Sequence, residues 1–159
     1  TGNGASYSAD IARRLLHIAL LSRGRVEGGS THGTTERTFR HVDLLGVVWH
    51  GHYFAYMEEA RTQLLRRCEL DASDLVGGRY LFFVIESRCR YANPLFYRDR
   101  VRVTAWLRDV KRRIHVAYEL TNLSHERRAA RGHTMLATTD SERNLLLETP
   151  DEIQRRLLG

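Results

Sequence analysis

The chain is poor in the residues that build cross-linked or membrane-spanning proteins. It has 159 residues with 2 cysteines and 2 prolines, and no apolar run approaches the roughly 18 residues that a transmembrane helix needs. Cys68 and Cys89 fall in a helix pattern and a strand pattern, where reduced structural thiols are expected. The apolar stretch Ile18–Leu21 is too short, and its surroundings too charged, for the core of a signal peptide. We therefore expect a cytoplasmic globular protein.

Lysine is almost missing from this basic chain. Of 25 residues that are lysine or arginine, only Lys111 is a lysine, and the net charge is +6. Such an arginine bias is typical of GC-rich genomes, and the basic residues are spread along the chain, which disfavours a nucleic-acid partner. The excess positive charge still favours acidic partners, such as phosphate groups or an acidic carrier protein.

The first 33 residues differ in composition from the rest of the chain. Asp10–Leu21 has apolar residues at helical spacing, and Gly24–Gly33 combines glycines with Ser and Thr, which is typical of a linker. We predict that residues 1–33 form an N-terminal extension with one short helix. A single domain then follows over residues 34–159.

The pattern of residues 34–159 predicts an α+β domain. A strand over Thr34–Val42 precedes a helix from His52 to about Cys68, in which apolar residues recur every three or four positions. Further predicted elements are strands at Leu81–Tyr91, Arg100–Asp109, Ile114–Thr121 and Arg128–Asp140, and a helix after Thr149 that ends near Leu158. One strongly apolar helix has to be covered by one curved antiparallel sheet.

Reactive groups are concentrated between the first predicted strand of this domain and its long helix. Asp43 precedes a turn at Gly46, and the polar start of the helix follows at His50. The first N–H groups of a helix lack intrahelical acceptors and lie at the positive end of its dipole, so they can stabilise an oxyanion. A carboxylate can attack a carbonyl or activate a water molecule. The sequence therefore predicts a site where Asp43 and the helix start act on the same carbonyl.

The pattern DLLGVVWHGHYFAYMEEAR over residues 43–61 resembles the signature of hotdog-fold thioesterases. It is most similar to that of the 4-hydroxybenzoyl-CoA thioesterases and the acyl-CoA thioesterases of Tol-Pal gene clusters. The matching positions are Asp43, Gly46, Val47, Val48, Trp49, His50, Tyr53, Glu59 and Arg61. The resemblance implies a hotdog fold, with one long central helix wrapped by the sheet, and hydrolysis of acyl-CoA or acyl-carrier-protein thioesters. It also implies a homodimer or homotetramer with the site at a subunit interface. The spacing of His50 and His52 is not typical of a metal site and no cluster of Cys, His or carboxylates accompanies it, so we expect no metal and no cofactor.

The resemblance also implies roles for individual residues. Asp43 is the catalytic carboxylate, as nucleophile or as general base, and the backbone N–H of His50 lies in the oxyanion hole. The His50 imidazole either orients water or the carboxylate, or has no role. Substrate-binding positions are Gly46, Val47, Trp49 and Tyr53.

Other residues near the motif have structural explanations. A tyrosine at the position of Tyr53 is more often a core residue than a lining of the acyl pocket, and His52 is expected to be a bystander. Glu59 and Arg61 lie two positions apart on the helix, cannot face each other, and are expected to serve salt bridges or subunit contacts. Arginines that could hold CoA phosphates, or simply form solvated strand faces, are Arg88, Arg90, Arg98, Arg100 and Arg102.

Two other functions remain open. A hotdog domain can be a non-catalytic sensor of acyl thioesters, which would need a helix-turn-helix before Thr34. It can also catalyse another reaction, such as dehydration, with a histidine and a carboxylate arranged for proton removal. The register around Asp43 favours hydrolysis over dehydration.

Overall fold

A computed structural model describes residues 16–21, 46–70, 78–96 and 99–159, the first of these segments by its backbone alone. Its elements in chain order are strand β1 (Leu16–Leu21), helix α1 (Gly51–Arg67), strands β2 (Tyr80–Tyr91), β3 (Arg100–Asp109), β4 (Ile114–Asn122) and β5 (Arg127–Asp140), and helix α2 (Asp151–Leu158). The five strands form one antiparallel sheet in the order β1-β3-β4-β5-β2. The long helix and the antiparallel strands confirm the predicted α+β architecture.

Helix α1 buries one apolar stripe against the sheet. The buried side chains are Tyr53, Met57, Ala60, Leu64 and Leu65, at the spacing of three or four residues that places them on one face. Full burial of a large apolar side chain stabilises the fold by about 1.5–3 kcal/mol. The stripe therefore holds the helix in one orientation on the sheet.

A glycine in the sheet brings the helix close. A Cβ at Gly132, in β5, would lie 2.5 Å from the Met57 sulfur and 2.6 Å from the backbone oxygen of Arg88. Real Cβ atoms do not approach other heavy atoms so closely, so glycine is needed here for the Met57 side chain and the Arg88 backbone to lie where they do. The Met57 side chain fills the space above Gly132 and is 1% exposed.

Strands β3 and β4 form a hairpin and supply a large share of the core. Val101, Val103, Ala105 and Leu107 are fully buried, as the alternation of apolar and polar residues in β3 predicts. Tyr118 in β4 is also buried, and burial raises the pKa of its hydroxyl. The core therefore lies between α1 and one face of the central strands.

The prediction for residues 10–21 is wrong over the part that the structure describes. Leu16–Leu21 is an antiparallel strand paired with β3, from Leu16 opposite Ala105 to Leu21 opposite Arg100. The edge of β3 offers backbone donors and acceptors to this apolar segment, and tertiary pairing outweighs its helical spacing. The predicted strand at Thr34–Val42 lies outside the described residues, and the domain boundary at residue 34 stays a prediction.

The chain closes with helix α2, close to its predicted position. Ile153 and Leu157 are buried, and Asp151 and Glu152 lie in the first turn, where the helix dipole favours negative charge. In the described part of the chain, neither helix has the length and apolarity that crossing a membrane would require.

Candidate active site

The start of α1 and the end of β2 together line a cleft of about 360 Å³. Its lining residues are Val47, Val48, Trp49, His50, Tyr53, Tyr91, Ala92, Asn93 and Pro94. The structure therefore brings together four of the residues predicted to form the site. They are Val47, Trp49, His50 and Tyr53. Gly46 immediately precedes the cleft, and Asp43 lies outside the described residues.

The segment that enters α1 is fixed to the chain that leaves β2. The Val48 N–H donates to the Leu95 oxygen at 2.8 Å, and Val47 forms an antiparallel bridge with Phe96. The Leu95 N–H in turn donates to the Tyr53 hydroxyl at 3.2 Å. Tyr53 thus joins the first turn of α1 to the same loop, and its side chain serves the core as well as the cleft. Burial raises the pKa of Tyr53.

The N-terminus of α1 has backbone donors that no acceptor in the described part of the chain meets. His50, at the N-cap position, has helical backbone angles (φ −54°, ψ −29°) and makes no side-chain cap, and the first turn has no acidic residue. The N–H groups of His52 and Tyr53 donate to Trp49 and His50 oxygens at 3.0 and 3.2 Å. Within the described residues, the His50 and Gly51 N–H groups have no such acceptor. Donors of this kind suit an oxygen that becomes negatively charged.

Two glycines shape the approach to the helix, each for its own reason. Gly46 has a positive φ of 75°, which disfavours any residue with a Cβ although the space around it is open. At Gly51 a Cβ would collide with the indole ring of Trp49. Gly46 therefore permits the predicted backbone turn, and Gly51 permits Trp49 to fold over the helix start.

Aromatic rings surround this end of the helix. The Trp49 ring lies 5.1 Å from the His50 ring and 5.6 Å from the His52 ring, measured between centroids. Trp49 is 50% exposed. His52, the expected bystander, therefore packs against a residue of the cleft. The described residues contain no cluster of three or more side chains arranged to hold a metal ion.

Tyr91 and its neighbours complete the cleft, and sequence analysis missed them. The Tyr91 hydroxyl donates to the backbone oxygen of His50 at 3.2 Å, and its ring meets the Tyr53 ring edge-on at 4.8 Å. Burial of the hydroxyl raises the pKa of Tyr91 to about 12. The sequence indicated only that a strand ends near Asn93-Pro94, because no local pattern shows which distant element a strand end will meet.

The end of β2 is itself held firmly against β5. The N–H groups of Ala92 and Asn93 both donate to the Ala129 oxygen, at 2.8 and 3.1 Å. The Asn93 side chain donates to the Arg128 oxygen at 2.8 Å. The loop wall of the cleft is therefore an extension of the sheet.

The remaining residues of the motif lie away from the cleft. Glu59 accepts a hydrogen bond from Gln63 at 2.8 Å, and Arg61 lies 4.0 Å from Glu58. Each is thus engaged within the helix, and subunit contacts stay a prediction. Of the proposed phosphate ligands, Arg88 is paired with Glu86 at 3.6 Å, while Arg98 lies outside the described residues.

Comparison with known proteins identifies the family. Residues 38–157 match the family model of the Thioesterase-like superfamily. The chain belongs to this superfamily. Its fold is the hotdog fold, as the resemblance around Asp43 implied.

Individual relatives agree with this assignment. The chain is 30% identical over 74 residues to the Bacillus subtilis protein named "Putative acyl-CoA thioesterase YneP", a match that covers 46% of this chain and 54% of that protein. The chain thus spans about half the length of this curated relative.

Two solved structures share the fold at low sequence identity. The 1,4-dihydroxy-2-naphthoyl-CoA thioesterase from Synechocystis has a TM-score of 0.71 at 16% identity, with 90% of this chain and 95% of that chain covered. The DHNA-CoA thioesterase from Staphylococcus aureus has a TM-score of 0.66 at 20% identity, with 84% and 80% covered.

Proposed function

We propose that this protein hydrolyses acyl thioesters, with the thioester carbonyl bound in the cleft at the start of α1. The observation that supports the proposal most directly is the pair of backbone donors at His50 and Gly51, which lie at a cleft between the helix start and the end of β2. Membership of the thioesterase-like superfamily agrees with it. Acyl-CoA is the first substrate class to test, and an acyl carrier protein is the second.

In this proposal the helix start stabilises the oxyanion. As an oxygen attacks the thioester carbon, the carbonyl oxygen gains negative charge, and the uncapped N–H groups donate to it. The positive end of the helix dipole acts in the same direction. The absence of an acidic residue from the first turn of α1 avoids a repulsive charge there.

Asp43 would supply the attack by one of two routes. As nucleophile, its carboxylate bonds to the acyl carbon, the C–S bond breaks, and water then hydrolyses the resulting anhydride. As general base, it takes a proton from a water molecule whose oxygen attacks the acyl carbon, and the proton passes to the departing thiolate. Both routes consume one water and release a carboxylic acid and a thiol.

The position of Asp43 in the chain supports this role. It precedes Gly46 by three residues, and the chain from Gly46 to Val48 is fixed beside the cleft by Leu95 and Phe96. The exposed imidazole of His50 could orient the attacking water or the carboxylate. The narrower resemblance to the 4-hydroxybenzoyl-CoA and Tol-Pal-associated thioesterases belongs to the same proposal.

The edge of the sheet suggests how subunits would assemble. Strand β2 pairs with β5 on one side and lies at the edge of the described sheet on the other. It exposes three consecutive apolar side chains: Phe83 is 43% exposed, Val84 50% and Ile85 54%. Long apolar edge strands favour pairing with another chain. This supports the proposed homodimer or homotetramer, in which the end of β2 would place the cleft near a subunit interface.

The substitution Asp43→Asn tests the function. We expect loss of thioester hydrolysis by at least about 100-fold, because the amide can neither attack nor accept the proton. Release of free thiol from short-chain, long-chain and aromatic acyl-CoAs measures the activity. Asp151→Asn, an exposed position at the start of α2, is the matched control. Near-normal turnover by Asp43→Asn would contradict the mechanism, and no turnover by the unmodified protein on any thioester would contradict the function.

A further inference from the structure

We propose that Tyr91 is a positioning residue for the reaction, acting through the peptide that joins His50 to Gly51. This inference rests on the proposed function. Its structural basis is the hydrogen bond from the Tyr91 hydroxyl to the His50 oxygen, at 3.2 Å, across the cleft from the end of β2.

The bond acts on a particular group of atoms. The His50 oxygen and the Gly51 N–H belong to the same planar peptide unit and point in opposite directions. A donor fixed on the oxygen therefore restricts rotation of the whole unit, and so fixes the direction of the Gly51 N–H. The Tyr53 N–H donates to the same oxygen at 3.2 Å, so that oxygen has two donors from two different elements.

The bond also changes the strength of the N–H donor. Hydrogen bonds polarise one another along a chain, so a donor on the peptide oxygen makes the N–H of the same peptide a better donor. The Gly51 N–H is then more effective at stabilising the oxyanion. With a pKa of about 12, Tyr91 stays protonated as a donor throughout the neutral pH range.

Tyr91 itself is held in place by its neighbours. Its ring packs edge-on against the buried Tyr53 ring at 4.8 Å, with an interplanar angle of 82°. The chain directly after it is fixed to β5 through the bonds of Ala92 and Asn93 to the Ala129 oxygen. The hydroxyl is therefore held in place by the sheet. Through its hydrogen bond it fixes the orientation of the His50–Gly51 peptide unit relative to the sheet.

The substitution Tyr91→Phe tests the inference, because it removes the hydroxyl and keeps the ring that packs on Tyr53. We expect kcat for an acyl-CoA to fall about 5- to 50-fold, between the loss of one neutral hydrogen bond and the loss of an oxyanion donor. KM should change by less than about twofold, because the lost interaction matters most in the transition state. Tyr80→Phe, at the opposite end of the same strand and outside the cleft, is the matched control.

A second measurement is independent of activity. In ¹H–¹⁵N correlation spectra, Tyr91→Phe should shift the Gly51 amide resonance upfield in nitrogen, since the peptide oxygen loses a donor, and Tyr80→Phe should leave it unchanged. An unchanged Gly51 resonance, or an unchanged kcat, would overturn the inference. If the unmodified protein and Asp43→Asn behave as proposed while Tyr91→Phe is fully active, only the role of Tyr91 fails. If the unmodified protein hydrolyses no thioester, the proposed function fails and the inference fails with it.

Discussion

The two ends of helix α1 are built in opposite ways. At its C-terminus the Cys68 N–H donates to the Leu65 oxygen at 2.9 Å, and the Glu69 and Leu70 N–H groups donate to Arg66 and Leu65 oxygens at 3.0 Å. Glu69 has a positive φ of 57°, the left-handed conformation that commonly ends helices. Leu70 then returns to the core with 1% exposure.

At the N-terminus of the same helix the His52 and Tyr53 N–H groups also donate to backbone oxygens, but within the described residues the His50 and Gly51 N–H groups have no such acceptor. Its first residue is a glycine, the N-cap residue makes no side-chain bond, and the flanking Trp49 is half exposed. The contrast shows where the fold is stabilised and where backbone donors are left available. A helix anchored at its far end can keep its near end uncapped, and functional sites are commonly drawn from such less stable regions.

A cavity at the anchored end should have the largest effect on stability. We expect Leu70→Ala to lower the free energy of unfolding by about 2–5 kcal/mol, because a fully buried leucine leaves a cavity when truncated. kcat per folded molecule should stay within about twofold, since Leu70 is remote from the cleft. Urea unfolding and steady-state kinetics measure the two effects. A tenfold fall in kcat with unchanged stability would contradict the inference that the C-terminus of α1 serves stability and its N-terminus serves the reaction.

A backbone change just before the N-terminus of α1 should cause a smaller loss of stability together with a loss of activity. Gly46→Ala is expected to cost about 1–2 kcal/mol, because a residue with a Cβ is strained at a φ of 75°. Gly46 lies between Asp43 and the helix in the sequence, so kcat should also fall. Thermal unfolding and thiol release measure the variant, and Gly159→Ala, at a second glycine with positive φ (88°), controls for backbone strain away from the cleft. Full activity at unchanged stability would show that the turn is not required.

A negative charge at the N-terminus of α1 should have the smallest effect on stability. It should raise the free energy of unfolding, whereas the two changes above lower it. His50→Asp is expected to raise the free energy of unfolding by about 0.3–1 kcal/mol, because a carboxylate at a helix N-terminus interacts favourably with the dipole. The same charge repels an oxyanion, so kcat should fall relative to His50→Asn, which has similar size without the charge. Equal kcat values for the two variants would show that the oxyanion does not form at the N-terminus of α1.

The sequence predicted the features that depend on local periodicity. The apolar spacing of residues 52–68 gave helix α1 to within one residue at each end, and the alternation in β3 and β4 gave the buried face. The helix side of the cleft, from Val47 to Tyr53, was also predicted. These features are encoded within a few residues of one another.

The features that sequence analysis missed all depend on distant pairing. Leu16–Leu21 forms a strand only because the edge of β3 accepts it, and its own spacing indicated a helix. Tyr91 meets His50 across 41 positions of chain, and no local pattern specifies that contact. The side of the candidate site that the end of β2 supplies therefore depends on contacts between residues that are far apart in the sequence.

Gly132 has a mechanical consequence for the cleft. Strand β5 contributes no side chain to the lining, yet the missing Cβ at Gly132 leaves the space that the Met57 side chain of α1 occupies. Lifting the helix by the length of one carbon–carbon bond, about 1.5 Å, would exceed the tolerance of the 3.2 Å contact between Tyr91 and His50. A side chain at position 132 would therefore act on the cleft at a distance, through the Met57 side chain and the helix that carries it.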